Sequence, residues 1–242
     1  NIICDSASLR IILAELPALY AARKTGAEIP RSVAACSYAD FVRSESEMAG
    51  SSEGRESVDY WKKELGADLP VLSLPPDYPR PRIRSYNGAT CAFNIDTELA
   101  GAIRTLAENE KIPLSDVLLA AFQTLLYRYT RQSVILTGIA TDTRMSGYEN
   151  MIGCFANQTV LRSDFSDRPG FRDFLGQVRD ALLRARDHQK YPFSSLVSEL
   201  QPDRNSALPP VFQVLFAWQD FMISGEAEWE LSEITQYEGQ FD

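Results

Sequence analysis

The stretch from Leu69 to Arg84 constrains this chain more than any other feature, because it is dense in proline. It contains Pro70, Pro75, Pro76, Pro79 and Pro81. Each proline fixes φ and lacks an amide hydrogen, so the stretch cannot be helical or lie inside a sheet. We predict an extended crossing between two parts of the chain.

The first part begins with a helix signal. Asp5 and Ser6 offer side-chain oxygens to the free amides of a first turn, and apolar residues then recur at helical spacing. These are Leu9, Ile12, Leu13, Leu16 and Leu19. The pattern predicts a helix from about Ser6 to Arg23, ended by Gly26 and Pro30.

The rest of this first part is less regular. We predict a short helix over Tyr38–Arg43, then a loose surface segment over the polar stretch Ser44–Arg55. A compact segment is expected to begin at Tyr60 and Trp61.

Beyond the crossing, the pattern changes between strand and helix spacing. Cys91, Phe93 and Ile95 alternate with small or polar residues and predict a half-buried strand. Thr97 is expected to begin a helix with one apolar face. Ser115 is expected to cap another, which is apolar on nearly all sides and therefore central.

Short apolar runs predict three more strands, over Val134–Ala140, Asn157–Arg162 and Val211–Trp218. A long helix is predicted to start at Phe171 and to end near His188. Strands interleaved with helices favour an α/β layered domain.

Charge and composition exclude several functions. The net charge of -9 leaves no basic stripe, which argues against binding nucleic acid or an anionic membrane. No apolar run reaches the roughly 18 residues of a membrane helix. The four cysteines, at 4, 36, 91 and 154, form no CxxC pair and no metal-like cluster with the only histidine. We expect a cytoplasmic protein with reduced thiols and no metal.

Several motifs along the chain form an ordered series. They are Tyr60-Trp61-Lys62 with Leu74-Pro75, Asp77, Pro79-Arg80-Pro81 and Gly88; Ile152-Gly153-Cys154-Phe155-Ala156-Asn157 with Arg162; His188-Gln189 with Pro192-Phe193; and Phe212-Gln213-Val214-Leu215-Phe216. The series resembles the condensation domains of nonribosomal peptide synthetases. Any one of these motifs alone would be a weak signal.

The resemblance implies a chloramphenicol acetyltransferase-like layered sheet with helices, in a two-lobed, V-shaped domain. The chain would begin and end inside that domain. Residues 1–84 would be a remnant of the N-terminal lobe plus the inter-lobe crossing, and residues 85–242 most of the C-terminal lobe. Because part of one lobe would be missing, apolar surface would be exposed, and we expect the chain alone to be poorly stable.

The resemblance also implies an activity and partners. Condensation domains form an amide between an acyl or peptidyl donor and an amine acceptor, each carried on a phosphopantetheine arm. The expected partners are donor and acceptor carrier-protein domains and a neighbouring adenylation domain. No cofactor is expected to bind the chain directly.

The opening residues resemble the tail of the family motif HHxxxDG. In that register Asn1 occupies the slot of the second histidine, Asp5 is the aspartate and Ser6 replaces the glycine. The resemblance implies that Asp5 holds the active-site loop through an ion pair with an arginine, expected in the region that precedes the chain. Asp5 is equally expected to cap the following helix.

Asn1 leaves three alternatives open, because asparagine cannot take up a proton at neutral pH. The domain is a weak catalyst that only positions its substrates, or a non-catalytic module that docks carrier proteins or a tailoring enzyme, or Asn1 is not the native residue. Epimerisation domains rank lower because their EGHGRE stretch is absent. Cyclisation domains rank lower because their first aspartate would precede Asn1.

The resemblance implies a cleft beside the Asp5 loop, between the two lobes. Three more side chains are candidates to line it, namely Asn157, Arg144 and Arg162. For Asn157 we favour the bonding of backbone groups at a strand end, and for Arg162 a structural ion pair. For Arg144 we favour a solvated loop. His188 is expected to end a helix, where a cation meets the helix dipole favourably.

Overall fold

Two long antiparallel strands form most of the sheet. The computed structural model describes residues 3–28, 36–79, 81, 87–200 and 208–219. Strand β1 (Val134–Asp142) pairs antiparallel with β2 (Ala156–Asp164) along its whole length. The short strand β3 (Leu215–Phe216) pairs parallel with β1, giving the order β2-β1-β3 among the described residues.

The described residues form seven helices. They are α1 (Ser6–Thr25), α2 (Tyr38–Gly50), α3 (Ser52–Leu65), α4 (Thr97–Glu110), α5 (Leu114–Thr130), α6 (Phe171–Asp187) and α7 (Phe193–Leu200). Five of them, α3 to α7, pack on the two faces of the sheet. Within the part of the chain that the structure describes, no helix combines the length and the hydrophobicity that a membrane span requires.

The period of two along β1 divides the core into two layers. On one face, Ile135 packs with apolar side chains of α4, α5 and α6. On the other face, Leu136 packs with Trp61 and with apolar side chains of α3 and α7. Gly138 lies on the second face, where a Cβ would stand 2.4 Å from the Phe212 ring. A side chain at position 138 would therefore require the Phe212 ring or the strand to shift.

Most predicted elements are confirmed, with shifts at their ends. The helix predicted from Ser6 continues to Thr25, where Gly26 adopts φ 71 and ends it. The helix predicted to start at Phe171 is α6, and His188 is its C-cap. The α/β class is confirmed by the mixed sheet with its surrounding helices.

The loose segment predicted over Ser44–Arg55 is wrong. This stretch belongs to α2 and α3, which are separated by Ser51 alone. Ser37 and Asp40 form a reciprocal capping box that starts α2, and the Ser51 side chain accepts from the amide of Gly54 to start α3. These caps satisfy free amides at both helix starts, so a polar sequence is still helical.

The strand predicted at Cys91, Phe93 and Ile95 is also wrong. The segment has no regular structure, and Phe93 is 82% exposed. A strand requires a hydrogen-bonded neighbour, and the sheet formed by the described residues ends at β2 and β3. Alternation alone therefore did not specify a strand.

Two boundary predictions also differ from the structure. Ser115 lies inside α5, whose N-cap is Pro113. The run Val211–Trp218 contributes only Leu215–Phe216 to the sheet. Val211, at the start of the run, has φ 68 and is not extended.

The described part of the proline-rich stretch is not helical, as predicted, and it forms no strand. Leu72 is buried in the same layer as α5 and α6, and the amide of Leu72 donates to Gln213 Oε1 at 2.7 Å. The stretch is thus fixed to this lobe at its start. Its role as a crossing to a second lobe stays a prediction, as do the boundaries at residues 84 and 85.

The outer surface of α1 is unusually apolar. Leu9, Leu16 and Tyr20 are 41%, 58% and 54% exposed. The buried residues of this helix are only Ser8 and Ala22. Apolar packing therefore contributes little to the attachment of α1 to the rest of the lobe.

Candidate functional site

Asp5 lies in the loop before α1 and has two roles there. Its carboxylate Oδ1 accepts from the amide of Ser8 at 2.8 Å, which caps the helix. Its own amide donates to the carbonyl of Gly153 at 3.2 Å. The predicted capping role is confirmed, and the loop also contacts the β1–β2 connection.

The arginine partner of Asp5 is Arg144, which follows β1. Arg144 Nη2 donates to both carboxylate oxygens of Asp5, at 2.8 and 3.1 Å. The two side chains are 7% and 6% exposed, so the ion pair is buried. The expectation that this arginine precedes the chain is wrong, and so is a solvated position for Arg144.

The remaining contacts of Arg144 fix the connection between β1 and β2. Its Nη1 donates to the carbonyl oxygens of Tyr148 and Met151. Its guanidinium also lies 4.1 Å from the centroid of the Phe155 ring. A single planar cation thus joins the α1 loop to several turns of this connection.

Ser8 and Phe155 complete the polar network. Ser8 Oγ donates to the carbonyl of Gly153 at 2.7 Å and accepts from the amide of Gly153 at 3.0 Å. The amide of Phe155 donates to Asp5 Oδ2 at 2.9 Å. We refer to Asp5, Ser8 and Arg144 with these backbone groups as the Asp5 network.

The pKa of Asp5 reflects this environment. Burial alone would raise the pKa of the carboxyl group. Hydrogen bonds from Ser8 and Phe155 and the positive charge of Arg144 outweigh that effect, so the pKa lies below its usual value. Asp5 is therefore a fixed anion that holds the loop, and it does not exchange protons near neutral pH.

A cavity of about 280 Å³ lies beside the Asp5 loop. Its lining includes Asp5, Ser6 and Arg10 on one side and residues at the carboxyl ends of β1 and β3 on the other. The Ser6 hydroxyl accepts from Gln219 Nε2 at 3.4 Å across the cavity. We refer to this space as the loop cavity.

A larger cavity, of about 480 Å³, adjoins the loop cavity. It lies between the start of α5, the end of α6 and the sheet, and we refer to it as the helix cavity. Its lining combines apolar side chains such as Leu119 and Phe216 with the cations Lys111, Arg179 and Arg186. Ala140, Thr141 and Trp218 line both cavities.

Asn157, Arg144 and Arg162 line neither of these cavities. Asn157 Nδ2 donates to the carbonyls of Gln189 and Tyr191, both at 2.8 Å, and its Oδ1 accepts from the amide of Phe193. This confirms the bonding of backbone groups near the start of β2. Arg162 donates to the carbonyl of Leu65 at 2.8 Å, and no ion pair of Arg162 is found in the described ranges.

His188 is the C-cap of α6, and its ring contacts α3. Its Nδ1 lies 3.1 Å from the Ser57 hydroxyl, and its ring stacks on Tyr60 with centroids 4.0 Å apart. Burial and the nearby negative charge of Glu64 raise the pKa of Tyr60 to about 12, so this phenol stays neutral. The histidine lies at neither cavity, and its predicted position at a helix end is confirmed.

The sequence prediction named Asp5, Ser6 and Arg144 as candidates, but it placed Arg144 in a solvated loop and did not pair it with Asp5. Asn1 lies outside the described residues. Arg144 follows the carboxyl end of the central strand, where α/β proteins place functional loops, and that position was the available signal. Ser8, Thr141 and Trp218 carried no signal of their own.

Solved structures share this architecture. The X-domain from teicoplanin biosynthesis superposes with a TM-score of 0.79 at 26% identity, over 88% of this chain and 49% of that chain. The first condensation domain of the CDA synthetase superposes with a TM-score of 0.72 over 91% of this chain and 47% of that chain. At 16% identity the second match shows the fold alone. The fold and the loop site define one lobe of the chloramphenicol acetyltransferase-like class.

Sequence comparison gives the family. The condensation domain profile matches residues 2–241. A linear gramicidin synthase of Brevibacillus parabrevis is 37% identical over 94% of this chain, and a chondramide synthase of Chondromyces crocatus is 34% identical over 91%. The chain belongs to the condensation domain family of nonribosomal peptide synthetases. It spans 3% and 6% of the lengths of these two relatives.

Proposed function

We propose that this chain forms part of a condensation domain that joins a carrier-bound acyl or peptidyl donor to a carrier-bound amine acceptor. The observation that carries the proposal is the Asp5 network, which holds the α1 loop at the mouth of the loop cavity. Family membership supports the reaction class. The partners that we propose are donor and acceptor carrier-protein domains with phosphopantetheine arms, next to an adenylation domain.

The proposed reaction needs orientation first. The neutral amine nitrogen attacks the thioester carbonyl carbon, the C–S bond breaks, and the departing thiolate takes the proton that the nitrogen loses. Holding two tethered reactants in line can contribute roughly 7 to 11 kcal/mol. The rigid loop and the two adjoining cavities favour this kind of catalysis.

Proton transfer by a side chain contributes less than orientation in the proposed reaction. By the resemblance, Asn1 occupies the position of a histidine, and an amide side chain cannot act as a general base at neutral pH. The Asp5 carboxylate is committed to Ser8, Arg144 and Phe155, so it does not replace the base. We therefore propose that the chain with Asn1 orients its substrates and supplies no base.

The test is peptidyl transfer between two loaded carrier proteins, in the natural protein that contains this chain, followed by mass spectrometry. We expect slow product formation with Asn1 and an acceleration of roughly 10² to 10⁴-fold in Asn1→His, the usual contribution of a general base. Arg144→Ala in the Asn1→His background should reduce that rate, because the loop is released. Absence of product from both Asn1 forms would overturn the enzymatic proposal.

The second candidate function is a non-catalytic docking module. It is favoured by the likeness to the teicoplanin X-domain, which has also been solved in a complex with OxyB. A docking module would bind a carrier protein or a tailoring enzyme and form no product in either Asn1 form. Calorimetric titration with loaded carriers, beside the transfer assay, separates the two functions.

A further inference from the structure

The loop cavity and the helix cavity meet at one wall. Thr141 lies near the end of β1, and Trp218 lies two residues beyond β3. Both residues line both cavities. We refer to Thr141 and Trp218 as the junction pair.

Thr141 presents a hydroxyl group that the protein does not use. Its Oγ1 is buried, and no hydrogen-bond partner for it exists in the described part of the chain. Buried hydroxyl groups in proteins are generally hydrogen-bonded, so an unpaired one at a cavity indicates a partner outside the protein chain. The hydroxyl can donate to a carbonyl oxygen or accept from an amide.

Trp218 has a different role in the same wall. Its side chain is 49% exposed although it lines both cavities, so the indole faces open space. An indole is a large, rigid surface with two rotatable angles, and it blocks a passage more firmly than an aliphatic side chain. It therefore lies where a group that reaches from the loop cavity into the helix cavity would meet it.

The helix cavity restricts the chemistry of that group. Its floor includes Leu119, Ile139 and Phe216, which favour an apolar side chain. Lys111, Arg179 and Arg186 face the same space and outnumber its one acidic residue, Asp116. A cationic side chain is therefore disfavoured there by like charge.

We propose that the junction pair determines which carrier-bound reactant is accepted. Trp218 limits the size of an apolar aminoacyl or acyl group that extends into the helix cavity, and the Thr141 hydroxyl bonds to the carbonyl or amide of that group. This inference rests on the proposed function, since it concerns the substrates of the same site.

The test measures binding apart from turnover. The probes are non-hydrolysable aminoacyl-pantetheine amides with alanyl, leucyl and naphthylalanyl side chains, titrated into the natural protein by calorimetry. Trp218→Ala should shift the ratio of Kd values by at least tenfold in favour of the largest probe, and Trp218→Phe should fall between. Unchanged ratios, or no binding of any probe, would overturn the role of Trp218.

Thr141→Val keeps the volume of the side chain and removes the hydroxyl. We expect a roughly 3- to 10-fold rise in Kd for all three probes, the range for one neutral hydrogen bond, and recovery in Thr141→Ser. Thr105→Val is the matched control, because Thr105 lies on the exposed side of α4, where its hydroxyl donates to Gly101. Equal Kd values in Thr141→Val and the control would contradict the hydrogen bond.

The two proposals fail in different ways. Loss of the probe effects with intact peptidyl transfer would overturn the junction pair and leave the condensation function standing. Probe effects as expected, without transfer in either Asn1 form, would overturn the enzymatic function and leave a selective binding site.

Discussion

Helices α5 and α1 are attached to the same lobe in contrasting ways. Helix α5 buries Val117, Leu119, Ala120, Gln123 and Leu126 in the layer beneath the sheet. Helix α1 is longer, yet it buries only Ser8 and Ala22. Its start is held by the Asp5 network, which consists of hydrogen bonds and one ion pair.

The two helices therefore differ in how strongly a single substitution weakens their attachment to the lobe. Apolar packing of α5 is spread over many contacts, so one change weakens it partially. The attachment of α1 depends on a few polar groups that are buried together, and the loss of any one leaves the others without partners. The loop beside the cavity is therefore positioned accurately and is easily released.

The largest effect should come from breaking the buried ion pair. Arg144→Ala leaves the Asp5 carboxylate buried without its cation, and we expect a loss of about 3–5 kcal/mol in the free energy of unfolding. Urea denaturation of the natural protein that contains this chain measures it. Arg43→Ala is the control, because Arg43 and Asp40 form an exposed pair at 68% and 47% side-chain exposure. A control that loses as much as Arg144→Ala would contradict the contrast between the two helices.

The second largest loss in the free energy of unfolding should come from truncating a core side chain. This loss should not depend on the loop before α1. Leu175 is fully buried, and Leu175→Ala should cost about 2–5 kcal/mol. Leu16→Ala, on the exposed face of α1, should leave the free energy of unfolding nearly unchanged. Equal destabilisation by both substitutions would show that α1 is packed after all.

A smaller effect is expected where the backbone approaches an aromatic ring. The Cβ of Gly138→Ala would stand 2.4 Å from Phe212, so the ring or the strand must shift. Overpacking of this kind costs about 1–3 kcal/mol. The double variant Gly138→Ala with Phe212→Leu should recover part of the loss in thermal unfolding. No recovery would place the strain elsewhere.

The smallest effect concerns pH. The folded pKa of Asp5 lies below the ordinary value of 3.8, so its ionised form stabilises the fold above that pH. The stabilisation is lost as the pH falls through the folded pKa. The difference in unfolding free energy between the wild type and Asp5→Asn should be constant from pH 7 to 5 and should shrink below about pH 4. A difference that shrinks near pH 6 would mean that another group is responsible.

Local sequence signals predicted this fold well where they reflect a helix or a buried strand. The spacing along α5 and α6 and the apolar run of β1 carried the necessary information, because burial on a regular element leaves a period in the sequence. The segment around Phe93 has the period of a strand without a neighbour to pair with. That outcome depends on tertiary structure, which no local pattern contains.

The candidate site was predictable only in part for the same reason. Asp5 could be found from its motif and its position before a helix. Arg144 is 139 residues away, and nothing in the spacing indicated that the two would meet. Thr141 and Trp218 are far apart in the sequence and line the same two cavities only in the folded structure.

The Asp5 network also couples the hydrogen exchange of distant amides. The amides of Ser8 and Phe155 both donate to the same carboxylate, and the Gly153 amide donates to the Ser8 hydroxyl. These amide hydrogens are far apart in sequence but cannot become accessible to solvent independently. They should show one common free energy of opening, as a single cooperative opening of the loop.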